Sequence, residues 1–149
     1  MPKLDLDAIP ETNRTGYPAP YDRNVAGRWQ KPLTEPGGLT DFGVRHVRLE
    51  PGAWSSQRHW HEGEDELVVM ISGEAVLVED DARTLLGPGD CAAFPKNVPN
   101  GHHLINESSK PCIFVAIGRN SGMDCHYPDV DLHVDGPTDR YVHKDGRPY

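Results

Sequence analysis

The chain is constrained most by its rhythm of short apolar stretches cut by turn residues. Residues 42–49 alternate apolar residues with arginines, and Pro51 and Gly52 then turn the chain. Residues 67–71 are an unbroken apolar run. Ser72 and Gly73 read as a tight turn, and residues 74–79 as the partner strand of a hairpin. Asp80 and Asp81 mark the next turn, ahead of a short stretch at 83–86. Gly87, Pro88, Gly89 and Asp90 make another. Residues 91–94 and 102–106 flank a proline-rich loop, and residues 112–117 form the last clear core strand. Several short strands at regular spacing, with turn signals between them, predict an all-β barrel or sandwich.

With 149 residues the chain is long enough for one domain with a real core. Its apolar fraction of 36% is low for a compact globule, which assigns part of the chain to polar arms. Residues 1–41 show no sustained periodicity, and Pro10, Pro18, Pro20, Pro32 and Pro36 interrupt every candidate helix. This segment is expected to be an extended N-terminal arm lying over the domain, with Tyr17, Tyr21 and Trp29 making its contacts. The barrel itself is expected over residues 42–118. Residues 119–149 are expected to be a C-terminal extension packing on the barrel, with Val130, Leu132 and Val134 alternating as one further edge strand.

The net charge of −8 argues against nonspecific nucleic-acid binding and against docking on anionic membranes. No apolar stretch is long enough to span a bilayer, and the N-terminus lacks a signal-peptide core. Cys91, Cys112 and Cys125 are odd in number and widely separated, matching neither a disulfide framework nor a paired zinc motif. A reducing cytoplasm is the expected compartment. Cys91 and Cys112 fall in expected strands and are read as buried thiols.

His59, Trp60 and His61 carry the chemistry. On an extended chain, residues two apart point the same way, so the rings of His59 and His61 converge. The run Glu62-Gly63-Glu64-Asp65 can bring the chain back, and Glu66 then opens the next strand on the parity of Val68 and Met70. Two imidazoles and a carboxylate at a barrel mouth suit a first-row divalent ion. His102 shares a face with Leu104 and Asn106 and could supply a third imidazole, whereas His103 would point the other way. A bare His-x-His is more often a harmless surface pair. Here half of the eight histidines fall in these two places, each beside a candidate strand.

These residues resemble the cupin superfamily. Gly52, His59, His61, Glu66 and Gly73 match its first motif, with a gap after Gly52 one residue longer than usual. Gly89, Pro95, His102 and Asn106 match its second, with Asn97 where the motif has glycine and a path to the histidine two residues longer. The His-to-Asn spacing selects His102. The resemblance covers residues 42–118. It implies a double-stranded β-helix, or jelly-roll barrel, commonly a homodimer. It also implies one divalent ion (Fe, Zn, Mn or Ni) on His59, His61, Glu66 and His102.

The superfamily does not imply one reaction. The expected function is a metal-dependent enzyme acting on a small oxygenated molecule, with dioxygenase chemistry placed first. A Lewis-acid lyase or isomerase, or a non-catalytic small-molecule-binding cupin, is the alternative. Glu62, Glu64 and Asp65 are candidates for groups supporting the ligands or for a general base, against the plainer reading of a solvated loop. Trp60 should point away from the ligands. Met70, Leu77, Phe94 and Phe114 are core or pocket wall, Trp54 lines either core or pocket, and Asn106 holds a turn.

Overall fold

A computed structural model describes residues 3–119 and 121–149. The strands are β1 (Arg28–Pro32), β2 (Gly43–Leu49), β3 (Trp60–His61), β4 (Glu66–Ser72), β5 (Ala75–Val78) and β6 (Arg83–Leu86). They continue with β7 (Cys91–Phe94), β8 (His103–Ile105), β9 (Cys112–Gly118), β10 (Cys125–Tyr127), β11 (Leu132–Asp135) and β12 (Arg140–Val142). Short 3-10 turns at Leu6–Ala8 and Arg23–Val25 are the helical elements among the described residues. No helix of the described residues is long and apolar enough to cross a membrane.

All strand pairs are antiparallel, in three sheets. One runs β1-β2-β9-β4-β7, the second β6-β5-β8, and the third β12-β11-β10-β3. The first two enclose the main core. Val47 and Leu49 of β2, Val68 and Met70 of β4, and Cys112 and Phe114 of β9 face Ala75 and Leu77 of β5, Leu86 of β6 and Leu104 of β8. The inward positions alternate along each strand, as a pleated chain with one buried face requires. Burying each large aliphatic side chain in such a core contributes about 1.5–3 kcal/mol.

The hairpin expected across Ser72 and Gly73 does not form. Strand β4 has both edges occupied, by β9 and β7, and β5 pairs instead with β6 and β8. The chain crosses between sheets at this point. Gly73 permits the crossing with φ +69°, and a Cβ there would lie 2.8 Å from the Pro111 carbonyl oxygen and the Cys112 Cα. A run of alternating apolar residues on either side of a turn fits two strands of one sheet and two strands of facing sheets equally well.

The flanks contribute strands of their own. Within the segment expected as an arm, β1 adds to the edge of β2. Three strands follow residue 118 where one was expected, and β10 pairs with β3. Tyr17 and Val25 from the N-terminal segment pack with Cys125, Tyr127 and Leu132 in a second apolar cluster. Cys91 is exposed rather than buried as expected, because it sits on β7 with its side chain on the outer face, while Cys112 is buried. A four-residue strand gives no parity signal strong enough to choose the face.

Asn106 is wholly buried. Its Nδ2 donates to the carbonyls of Leu49 (2.9 Å) and Lys110 (2.8 Å), and its Oδ1 accepts from the Ser108 N–H and Oγ–H. It thus ties the end of β2 to the loop before β9. Asn106→Ala takes the amide donor from the buried Leu49 carbonyl and breaks the tie to the Ser108 loop, at a cost of about 1–3 kcal/mol for the carbonyl alone. Urea unfolding is expected to show a loss of at least about 2 kcal/mol, with an unchanged m-value.

Candidate functional site

The two histidine motifs are joined through their backbones. His59 N–H donates to the His102 carbonyl (3.2 Å), and His102 N–H donates to the His59 carbonyl (2.9 Å). Arg58 and Gly101, the residues before each histidine, reinforce this junction. Arg58 Nη1 pairs with Asp80 and donates to the Gly101 carbonyl (3.4 Å), while its Nε donates to Asp129 (2.7 Å). Asp80 in turn accepts from the Gly101 N–H at 3.0 Å. These carboxylates hold the Arg58 guanidinium's proton well above its ordinary affinity: the Asp129 hydrogen bond is the largest cause, ahead of the opposing effect of burial. Gly101 packs so closely that a Cβ would stand 3.0 Å from Arg58 and from Pro128. The longer loop before His102 therefore ends on a residue that has to be small.

Glu66 opens β4 beside this junction. Its Oε2 lies 2.9 Å from His102 Nε2, 3.4 Å from His61 Nε2 and 3.6 Å from His59 Nε2. The four residues singled out by spacing are thus brought together. Two donors at ~2.1 Å from one ion and at right angles to it stand ~3 Å apart, so these separations fit donors around a shared cation. The imidazoles are also oriented. His59 Nδ1 lies 2.8 Å from the Gln57 carbonyl and His61 Nδ1 lies 2.8 Å from Glu64 Oε1, which leaves each Nε2 facing Glu66. The His102 ring lies flat on Phe94, with centroids 3.6 Å apart.

The cluster is electrostatically prepared for positive charge. Burial pushes the Glu66 carboxyl upward, but hydrogen bonds from His102, His59 and His61 outweigh it and hold Glu66 well below the usual carboxylate range. At His61 burial disfavours the proton, yet Cys125, Glu64 and Glu66 together push the imidazole up to about 12. His102 moves the other way, lowered chiefly by burial, with Glu66 only partly compensating.

His103 does not join the cluster. Its Nδ1 lies 3.0 Å from the Ser56 carbonyl, and its ring meets Trp54 edge-on. Trp60 also points away, stacked on His126 at 4.1 Å. Of the acidic run, Glu64 supports His61, Glu62 meets His126 Nε2 at 2.8 Å, and Asp65 accepts from the Lys96 N–H at 2.9 Å. One neighbour was not legible in the sequence. Cys125 is paired with His61 across β10 and β3, and its thiol lies with His59 and His61 in a group whose donor atoms all fall within 4.8 Å. Only the docking of β10 on β3 brings it there, and no spacing rule connects the two positions.

The cluster forms part of the wall of a cavity of about 410 Å³, within the range of small-molecule sites. Arg28, Gln30 and Arg45 line another part of it, with Tyr17, Tyr127 and Tyr141. Tyr127 lies roughly parallel to the His59 ring at 5.7 Å. Burial, the first cause, holds its hydroxyl proton well above the ordinary range, so the phenol stays neutral.

The profile of the cupin domain matches residues 45–118. A sugar phosphate isomerase of the cupin superfamily from Silicibacter pomeroyi is 41% identical, with a TM-score of 0.93, over 99% of this chain and 96% of that one. A putative sugar phosphate isomerase from Acidithiobacillus ferrooxidans is 25% identical, with a TM-score of 0.69, over 77% of this chain and 74% of that one. A polyketide cyclase from Streptomyces resistomycificus shares the fold, at 19% identity and a TM-score of 0.64, over 79% of this chain and 78% of that one. No curated protein matches the chain. The motifs expected from the sequence, the antiparallel jelly roll and a 41% identical relative spanning nearly the whole chain lead to one conclusion: this protein belongs to the cupin superfamily.

Proposed function

We propose that the protein is a metal-dependent isomerase acting on a small phosphorylated sugar, with one divalent ion held by His59, His61, Glu66 and His102. The observation that carries the metal is the Glu66 oxygen faced by three imidazole Nε2 atoms within 3.6 Å. The substrate class rests on the 41% identical relative named as a sugar phosphate isomerase. Bound there, a divalent ion supplies Lewis acidity to a carbonyl and its neighbouring hydroxyl. The mixed nitrogen and oxygen ligand set suits Fe, Zn, Mn or Ni alike.

The chain's own residues supply the rest. In the proton-transfer route a base takes a proton from the carbon bearing the hydroxyl and returns it to the carbonyl carbon, while the hydroxyl proton passes to the former carbonyl oxygen. Glu64 is the candidate: it lines the cavity beside the cluster but faces the Nδ1 side of His61, not the Nε2 side. Phe94 and Tyr127 flank the imidazoles and narrow the access of water. The dioxygenase reading uses the same ligand set. The named relative favours isomerisation over it.

Protein purified without added metal is expected to carry about one divalent ion per chain by elemental analysis. His59→Ala and Glu66→Gln are expected to lose it while keeping the β-rich circular dichroism spectrum. Metal-loaded protein should interconvert an aldose phosphate and its ketose without consuming oxygen, and oxygen uptake tied to iron loading would restore the dioxygenase reading. Glu64→Gln is expected to lower kcat by about 10²–10⁴-fold with metal content retained.

Acid should expel the ion. The proton affinity of His61 is raised in the metal-free fold, to about 12, so the imidazole holds a proton across the neutral range. An incoming cation must displace that proton, and affinity therefore rises with pH. Calorimetry at pH 8 in buffers of different ionisation enthalpy is expected to show release of about one proton per ion bound.

A further inference from the structure

The cavity wall formed by β1 and β2 carries positive charge that nothing in the cluster uses. Arg28 stands opposite Leu49, Gln30 opposite Val47, and Pro32 opposite Arg45 in the register of these strands. Because Val47 and Leu49 face the core, Arg28, Gln30 and Arg45 share the inward face. All three line the same cavity as Glu66 and its imidazoles.

Among the described residues neither arginine has a carboxylate partner. The arginine ion pairs among the described residues belong to Arg48, Arg58, Arg83 and Arg147. Arg28 spends Nη1 on the Ser55 carbonyl at 2.7 Å, while its Nε is buried with no hydrogen-bond partner. The cavity's carboxylates are otherwise engaged or apart: Glu64 and Glu66 are held by imidazoles, and Asp139 pairs with neither arginine. Burial, the first cause, lowers the proton affinity of Arg28, and the charge of Arg45 adds to it against the opposing effect of Tyr17, Tyr141 and Tyr127. Arg28 is half-buried and Arg45 is exposed at the edge of the same cavity, and two guanidiniums on one face of the wall suit an anion between them.

The spacing suits a ligand that spans both ends of the cavity. Arg45 pairs across β9 with Ala116, and Ala116 with Val68 of β4. The adjoining row runs Gly43, Gly118, Glu66. Two strand spacings and two residues separate Arg45 from Glu66, a Cα distance of ~12 Å. The residues between them on β2 and β9 are Gly43, Ala116 and Gly118, which leave the floor open. A Cβ at Gly118 would meet Glu66 Cγ at 3.4 Å, so this part of the floor lies directly against the Glu66 side chain.

We propose that Arg28 and Arg45 form an anion subsite that holds the phosphate of the substrate while its carbonyl end reaches the His59–His61–Glu66–His102 cluster. That the phosphate belongs to a sugar rests on the function proposed above; the two-arginine site itself does not. Paired guanidiniums offer forked donors that match phosphate oxygens, and Gln30 adds an amide donor from the same face.

The test is titration of the metal-loaded full chain with inorganic phosphate, followed by calorimetry or NMR. Arg45→Gln is expected to weaken phosphate binding about tenfold or more, with metal content and melting temperature retained. Arg28→Lys keeps the charge but loses the fork and should weaken it as well; it also guards against misfolding of a variant that cuts the bond to Ser55. Phosphate that binds wild type and Arg45→Gln equally, or does not bind wild type, overturns the proposal. So does binding that disappears on chelation and ignores both arginines, since the anion would then sit on the ion. Arginine-dependent phosphate binding without turnover of any sugar phosphate would sustain the subsite and sink the isomerase reading.

Discussion

The reciprocal backbone hydrogen bonds between His59 and His102 are the constraint on which the rest depends. They fasten two motifs more than forty residues apart in sequence. With the two backbones locked, both imidazoles start from fixed Cα positions and need only their own rotamers to reach Glu66. Arg58 serves this junction from outside, binding Asp80, Asp129 and the Gly101 carbonyl at once. A single exposed ion pair would contribute little. Here several carboxylate and carbonyl contacts converge on one guanidinium whose side chain is 13% exposed, and they act on the backbone that carries the histidines.

The cavity is polarised. Around Glu66 it gathers imidazoles and carboxylates that favour a cation, and on the β1–β2 wall it holds two arginines without a counter-charge. Keeping unlike charges apart in one cavity has a physical cost, because each would be stabilised by the other. Small residues separate them on β2 and β9, where Gly43, Ala116 and Gly118 lie between the two regions. Tyr17 and Tyr141 shelter the cavity from the side of the N-terminal segment and the C-terminal sheet, so the flanking segments help to make the enclosure.

Much of the cluster was legible because strand parity is a strict rule. His59 and His61 converge for the same reason that Val68 and Met70 share the core face with Glu66 on their parity. Asn106 was legible too, as a turn-holding residue, and its four hydrogen bonds bear this out. The hairpin across Gly73 failed because a turn signal says where a chain reverses, not whether the next strand stays in the same sheet. The burial expected for Cys91 failed because so short a strand offers too few alternations to fix its inner face. Arg28 was not singled out, since β1 lies in a proline-interrupted segment where no strand was expected, and Arg45 stood only among the arginines that alternate with apolar residues over 42–49.

The sequence by itself determined the fold class and the identity of the converging histidines and glutamate. Periodicity, turn chemistry and the alternation of an extended chain carry the β class, the convergence of His59 and His61 and the parity of Glu66, while the choice of His102 rests on the motif spacing of the cupin resemblance. The tertiary structure alone decided what surrounds them. The approach of Cys125 to His61 comes from β10 docking on β3, and the arginine wall comes from β1 joining the edge of β2. Those pairings join segments far apart along the chain, and strand pairing between distant segments leaves no periodic mark in either one.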